Sequence, residues 1–287
     1  MYNYFLVGIA VVLFGIHFLL NERFQKESGG GLYQAMVFNL AGSALGLPVL
    51  IIINKFSFEY THFALLMAIL FSANSFMYTL CALRAFEHVN LSVYSMLSML
   101  GGMILPVIAG IVFFKEKMTF GICACVVIII VALAISLNKG KKMGARGIAY
   151  CIGVFFFNGM SGVISKIYTS SPADKVSAAG YSILSAIVVF IISLVFVLFF
   201  FKKREKIGKK ALLYGGIAGP LTKVANYLLL LALAVLPASV NYPFVTGGTI
   251  IVSTLTAYLT KQRPSLRDWL AVCLSFVGIL ILVLSPI

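Results

Sequence analysis

Hydrophobic residues make up 61% of the 287-residue chain and charged residues only 10%, at a mean hydropathy of +1.06. A water-soluble domain carries about 25% charged residues, so an ordinary solvated surface is excluded. The formal charge of +14 would suit a nucleic-acid partner, but the basic residues fall in short loops between apolar runs and form no groove interleaved with aromatics, so nucleic acid is set aside. What remains is a polytopic membrane protein.

The first apolar run, MYNYFLVGIAVVLFGIHFLL, lacks the positive start and small-residue cleavage site of a signal peptide and reads as a retained span. Ten such segments follow one another at 3–21, 31–53, 62–83, 90–113, 119–137, 146–167, 176–201, 211–235, 238–259 and 267–285. About 20 apolar residues cover the hydrocarbon core, and a chain this dense in spans must satisfy its backbone internally as helices. A transmembrane barrel would instead alternate polar and apolar residues in short strands. The expected fold is therefore all-α, with ten transmembrane helices in the cell (plasma) membrane. The five cysteines sit in or beside these runs without metal-pair spacing and read as packing residues.

Loops after even-numbered spans carry five of the 22 Lys and Arg (Lys55, Lys115, Lys117, Lys166 and Lys175). Lys223 lies inside a span, and the other sixteen follow odd-numbered spans. Short cytoplasmic loops hold such an excess, which places both termini outside the cytoplasm.

Polar residues within spans are the candidates for function. His17 stands four residues before Asn21 in the first span. In the third, Asn74 and Tyr78 share a face. In the fourth, Ser92, Ser95, Met99, Gly102 and Pro106 form a stripe, and Tyr94 joins the candidates. Asn158 does similar duty in the sixth. The eighth span is the sharpest signal, because Lys223 lies about twelve residues from either end, too deep to snorkel. A lysine at that depth costs roughly 2.5–3.5 kcal/mol even on the lenient insertion scale. Gly216, Gly219, Asn226 and Tyr227 lie at helical spacing from it, and Pro220 frees the carbonyl of Gly216 and bends the helix. In the ninth span Tyr242, Thr246, Thr249, Ser253, Thr256 and Thr260 recur at spacings of four and three. Such hydroxyls can also merely bond back to their own helix. Gly101-Gly102 and Gly247-Gly248 read as close-packing sites. The proposed substrate-binding set is Lys223, Asn226, Tyr227, Tyr242, Thr246, Asn74, Tyr78, Asn158, Tyr94 and His17.

An internal repeat runs through the chain. A shift of 146 residues lays Gly101-Gly102 on Gly247-Gly248, Lys115 on Lys261 and Val131 on Val277, and a shift of 143 lays Arg23 on Lys166. Each unit, 1–138 and 139–287, holds five spans. An odd number inverts the second unit relative to the first, the architecture of many secondary transporters with a midplane site between the halves.

The segments closing each unit, FFKEKMTFGICACVVIIIVAL and YLTKQRPSLRDWLAVCLSFVGILIL, resemble the drug/metabolite transporter superfamily in its EamA-like ten-helix branch. Glu116 stands where that family usually has Gly-Glu, and Gly278 fits its late glycine. Gln262 replaces the second glutamate, while Cys125 and Ala271 stand where a glycine is common. The resemblance implies a cavity built from spans 1, 3, 4, 6, 8 and 9, of which the polar stripes independently indicate 4, 8 and 9. Members mostly keep both termini in the cytoplasm, opposite to the charge count here.

The expected function is secondary transport of a small polar or amphipathic metabolite by alternating access. An amino acid or organic acid is favoured, because the one deep charge is positive. Expected partners are the substrate, the bilayer and, where transport is coupled, a proton or cation. Efflux of cationic drugs would require a membrane-embedded acid, and a lipid flippase or non-transporting subunit is the other alternative. No enzyme is expected. Gly159-Met160-Ser161-Gly162 matches a rhomboid serine motif, but no histidine follows it, and HExxH, GxGD and P-loop signatures are missing. Neither a metal nor a cofactor is indicated.

Overall fold

The computed structural model describes residues 2–29, 31–86, 88, 91–136, 144–200, 206–259 and 264–285. They form ten helices. These are α1 (Tyr2–Ser28), α2 (Leu32–Ile53), α3 (His62–Phe86), α4 (Leu91–Phe114), α5 (Phe120–Ser136), α6 (Ala145–Ser170), α7 (Ala178–Val195, continuing through a π-helical turn Phe196–Phe200), α8 (Lys209–Leu233), α9 (Ala238–Leu259) and α10 (Leu266–Leu284). No strand occurs among the described residues. Eight helices are long and apolar enough to cross a membrane by themselves. The 17 described residues of α5 fall short in length, and Asn241 and the hydroxyls of α9 lower its hydropathy.

Local chemistry sets several helix ends. Ser265 and Asp268 cap α10 reciprocally, each side chain taking the other residue's backbone N–H. Ser177 caps α7, and its own N–H and hydroxyl donate to Glu59 in the α2–α3 loop, at 2.6 and 2.7 Å. These bonds hold the Glu59 carboxyl below its ordinary range, against the opposing effect of burial. α1 runs nearly two turns beyond the expected end, carried by the i,i+4 pair Glu22–Lys26 and by Phe24 stacked edge-on against Phe38.

Packing follows a pattern. α1 packs on α8 and α9 as α6 packs on α3 and α4; α2 packs on α8 as α7 packs on α3. Exchanging helix n for n+5 converts one set into the other, and α2–α7, α4–α9 and α5–α10 pair across the centre. Contact between backbones needs glycine at two crossings. A Cβ on Gly42 would lie 3.0 Å from the Cα of Gly219, where α2 crosses α8, and one on Gly101 would overlap the backbone of Phe155 in α6. Large apolar side chains such as Phe113, Phe120, Leu259 and Leu284 face outward, as a lipid-facing surface requires.

Lys166, counted above among loop residues, is not in a loop. α6 continues to Ser170, and Lys166 is only 8% exposed. The reason is an ion pair that sequence spacing could not reveal, with Lys166 Nζ 2.8 Å from Glu116 Oε1.

Candidate functional site: a cavity around Lys223

A cavity of about 290 Å³ lies at the centre of the bundle, walled by α1–α4 and α6–α9. Along α1–α4 it extends toward the end bearing the basic loops, reaching Phe24, Ala35, Ala82 and Tyr94. Toward the opposite end it stops at Leu229 and Tyr242, where Leu233, Ala238 and Phe14 complete an apolar plug. α2 was not among the expected walls. Its contribution of Phe38, Asn39, Gly42 and Ser43 follows from the Gly42–Gly219 crossing, which brings that face against the middle of α8.

Eight of the ten candidates line this cavity: His17, Tyr78, Tyr94, Asn158, Lys223, Asn226, Tyr242 and Thr246. Asn74 and Tyr227 do not. The Asn74 amide donates to the Phe157 carbonyl and Ser161 Oγ, both at 2.8 Å, and so ties α3 to α6. Tyr227 packs instead on Leu50, Ile183 and Ala186 between α2 and α7. At about 100° per residue, the lining face of α8 centres between Lys223 and Thr222, and Tyr227 points well away from it. Asn241 is fully buried off the lining, with neither side-chain amide atom bonded among the described residues. Thr260 and the side chains of Ser92 and Ser95 lie outside the described residues.

The lining is held from behind by hydrogen bonds. Tyr78 Oη meets Tyr94 Oη at 2.7 Å and Ser98 Oγ at 2.9 Å, while Asn158 donates to the Ser98 carbonyl. Tyr242 donates to the Gly162 carbonyl at 3.0 Å. His17 Nδ1 meets Thr222 Oγ1, which also lies within hydrogen-bond distance of the Ala218 carbonyl, and so ties α1 to α8. In the lower part of α9, Thr249 and Ser253 bond back to their own helix. Lys223 is the exception in this network. Its ammonium has no hydrogen bond or ion pair among the described residues, and no Asp or Glu lines the cavity. Among the described residues no cluster of His, Cys, Asp and Glu could hold a metal ion.

Beyond the plug, a second polar feature closes the bundle. Lys115 takes a left-handed backbone (φ 53°) after α4 and turns the chain back, and the N–H of Glu116 bonds the Gly110 carbonyl. The Glu116 carboxylate then accepts the N–H groups of Ala238 and Ser239 in the first turn of α9, at 2.8 and 2.9 Å, besides pairing with Lys166. A carboxylate suits a helix N-terminus. Burial works to raise the Glu116 pKa, but the lysine and the two N–H groups outweigh it and hold the carboxyl below its ordinary range. This clasp joins α4, α6 and α9. Of the features that matter here, the Asn39–Ser43 wall and the clasp escaped sequence reasoning. Asn39 and Ser43 stand four apart beside Gly42 and Gly46, a small-residue signal hidden in an otherwise uniformly apolar helix.

Residues 145–284 match the EamA-like transporter family. The second half of the chain belongs to that family, in the drug/metabolite transporter superfamily. It is a family of membrane transporters rather than enzymes, and the chain is a multi-pass membrane protein. The likeness of fold extends over the whole chain. A crystal structure described without any function superposes with a TM-score of 0.75 at 14% identity, covering 98% of both chains. No curated protein matches the sequence.

Proposed function

We propose that the protein is a secondary transporter that moves a small organic anion, an amino acid or organic acid, by alternating access. Lys223 carries this reading. Among the described residues it is a cation without a counter-ion, facing a central cavity with no acid in its lining, and a substrate carboxylate would neutralise it. The helix-exchange pattern of the packing supports division into two inverted units, 1–138 and 139–287, that rock about the cavity. His17, Tyr78, Tyr94, Asn158, Asn226, Tyr242 and Thr246 would contact the substrate, whereas Asn74 and Tyr227 would act by positioning helices. On the charge count, the end toward which the cavity extends faces the cytoplasm, so the clasp and plug would shut the outer side of an inward-directed state.

Efflux of a cationic drug would place a positive solute beside Lys223 with no carboxylate to receive it, and the lining weighs against it. Enclosure of the polar lining by eight helices favours a solute carrier over a flippase. Purified protein should be screened by thermal unfolding against amino acids, organic acids, nucleotides and quaternary amines. A ligand bound only by the native state raises the melting temperature with concentration. Stabilisation by anions is the expected result, and stabilisation confined to quaternary amines would reverse the assignment.

A further inference from the structure

A second, smaller pocket of about 40 Å³ opens beside the main cavity between α3, α6, α7 and α8. The two share Lys223, Asn226 and Ser165, and the smaller one adds Ser182 and Ser185 from α7. Leu229, Leu230 and Leu233 form its apolar side. Ser185 is 5% exposed, and its hydroxyl reaches toward the Tyr181 phenol one turn back on α7 without a hydrogen bond of ordinary geometry among the described residues.

The hydrogen-bond inventory of this pocket is one-sided. Ser165 and Ser182 spend their protons on the carbonyls of Ser161 and Ala178, at 2.9 and 2.8 Å, so their oxygens can only accept. Those oxygens suit an ammonium group such as that of Lys223, which lines the same pocket. Asn226 gives one N–H to the Thr222 carbonyl at 2.9 Å and keeps the second. Donors from Lys223, Asn226 and Ser185 therefore line this one pocket, with no Asp or Glu in its lining among the described residues. A water needs about 10–15 Å³ on this measure, so the pocket has room for roughly three non-hydrogen atoms. A carboxylate has three, and a phosphoryl group, phosphorus with three oxygens, has four.

We infer that this pocket is the subsite for the substrate's carboxylate, with the remainder of the molecule lying in the main cavity against Phe14, Phe18 and Phe38. The inference rests on the anion-transporter reading and adds where the anionic group sits and that it is a carboxylate rather than a phosphate.

The test places a cysteine at the subsite and compares alkylating reagents of different charge. In full-length Ser185→Cys protein in lipid nanodiscs, iodoacetate, iodoacetamide and iodomethylphosphonate are each allowed to react, and the rate at residue 185 is read by mass spectrometry. The thiolate displaces iodide in every case, so any effect of Lys223 on thiolate content cancels in the ratios. Relative to 2-mercaptoethanol, the iodoacetate-to-iodoacetamide ratio should rise at least tenfold and should collapse when Lys223→Met is added. Iodomethylphosphonate should show no such gain. A ratio at residue 185 within twofold of 2-mercaptoethanol, or no reaction with any reagent, overturns the subsite, and an equal gain for the phosphonate overturns the choice of carboxylate. Ser43→Cys on the α2 wall of the main cavity, outside the smaller pocket, separates the two levels of the proposal. A raised ratio at residue 43 and not at 185 would keep the anion reading and remove the subsite, whereas a raised ratio at neither would remove both.

Discussion

Lys223 is costly where it stands, and nothing among the described side chains offsets the cost. Replacing it with methionine keeps the length and removes the charge, so thermal stability in detergent should be unchanged or higher. Substrate affinity should fall about ten- to a hundred-and-fifty-fold, the worth of one charge-assisted hydrogen bond of roughly 1.5–3 kcal/mol. Arginine should not restore it, because its planar fork is bulkier than an ammonium. Native affinity in a well-expressed Lys223→Met protein would remove the anchor of the anion reading. A second residue is predicted from its backbone alone. Lys115 occupies a left-handed conformation, which costs an L-residue about 1–2 kcal/mol and glycine almost nothing. The structure thus gives a reason for the glycine that EamA-like proteins usually carry before this glutamate. Lys115→Gly should raise stability by roughly 1 kcal/mol, measurable as a higher unfolding midpoint, and a lower midpoint would mean the lysine side chain makes a compensating contact.

Among the elements, α9 is the one held from both sides. Its first turn is anchored by Glu116, and its middle carries Tyr242 and Thr246 into the cavity. Breaking a buried ion pair from one side costs about 3–5 kcal/mol, because it strands the other charge, whereas removing both partners is nearly neutral. Glu116→Gln should therefore lower stability strongly, and Glu116→Gln combined with Lys166→Met should recover most of the loss. If the clasp also shuts the side of the bundle opposite the basic loops, the single variant should open that side to polar thiol reagents. The sign of the pH dependence follows from the lowered pKa of Glu116. Its stabilising contribution is present above about pH 4.5, the value of the unconstrained group, and is lost as pH falls through the lower folded value. An acid unfolding profile unchanged by Glu116→Gln would show that the clasp contributes no such stability.

For the molecule as a whole, orientation is the open quantity that charge predicts. A reporter fused after residue 287 should appear on the non-cytoplasmic side and one inserted at 202–210 on the cytoplasmic side. Finding the 202–210 loop outside would restore the orientation common in the superfamily and make the cavity's present direction outward. Much of the architecture was legible from composition. Ten apolar runs separated by short loops leave the backbone no option but helices in a bilayer, and the runs matched the helices to within about two turns at every end. The deep positive charge of Lys223 was equally legible, because burial within a span follows from span length alone. Which face of α8 meets the cavity was not. Asn226 and Tyr227 are adjacent in sequence, and only the Gly42–Gly219 crossing decides that the first lines the cavity and the second packs outside it. Asn74 and Tyr78 likewise share a helical face, but the nearness of α6 commits the Asn74 amide to the Phe157 carbonyl while Tyr78 remains on the lining. Glu116 and Lys166 are separated by fifty residues, and each taken singly reads as a charge at a span end. Periodicity reports what lies on one helix, whereas pairing between helices depends on how closely their backbones approach, and that was decided only in the folded bundle.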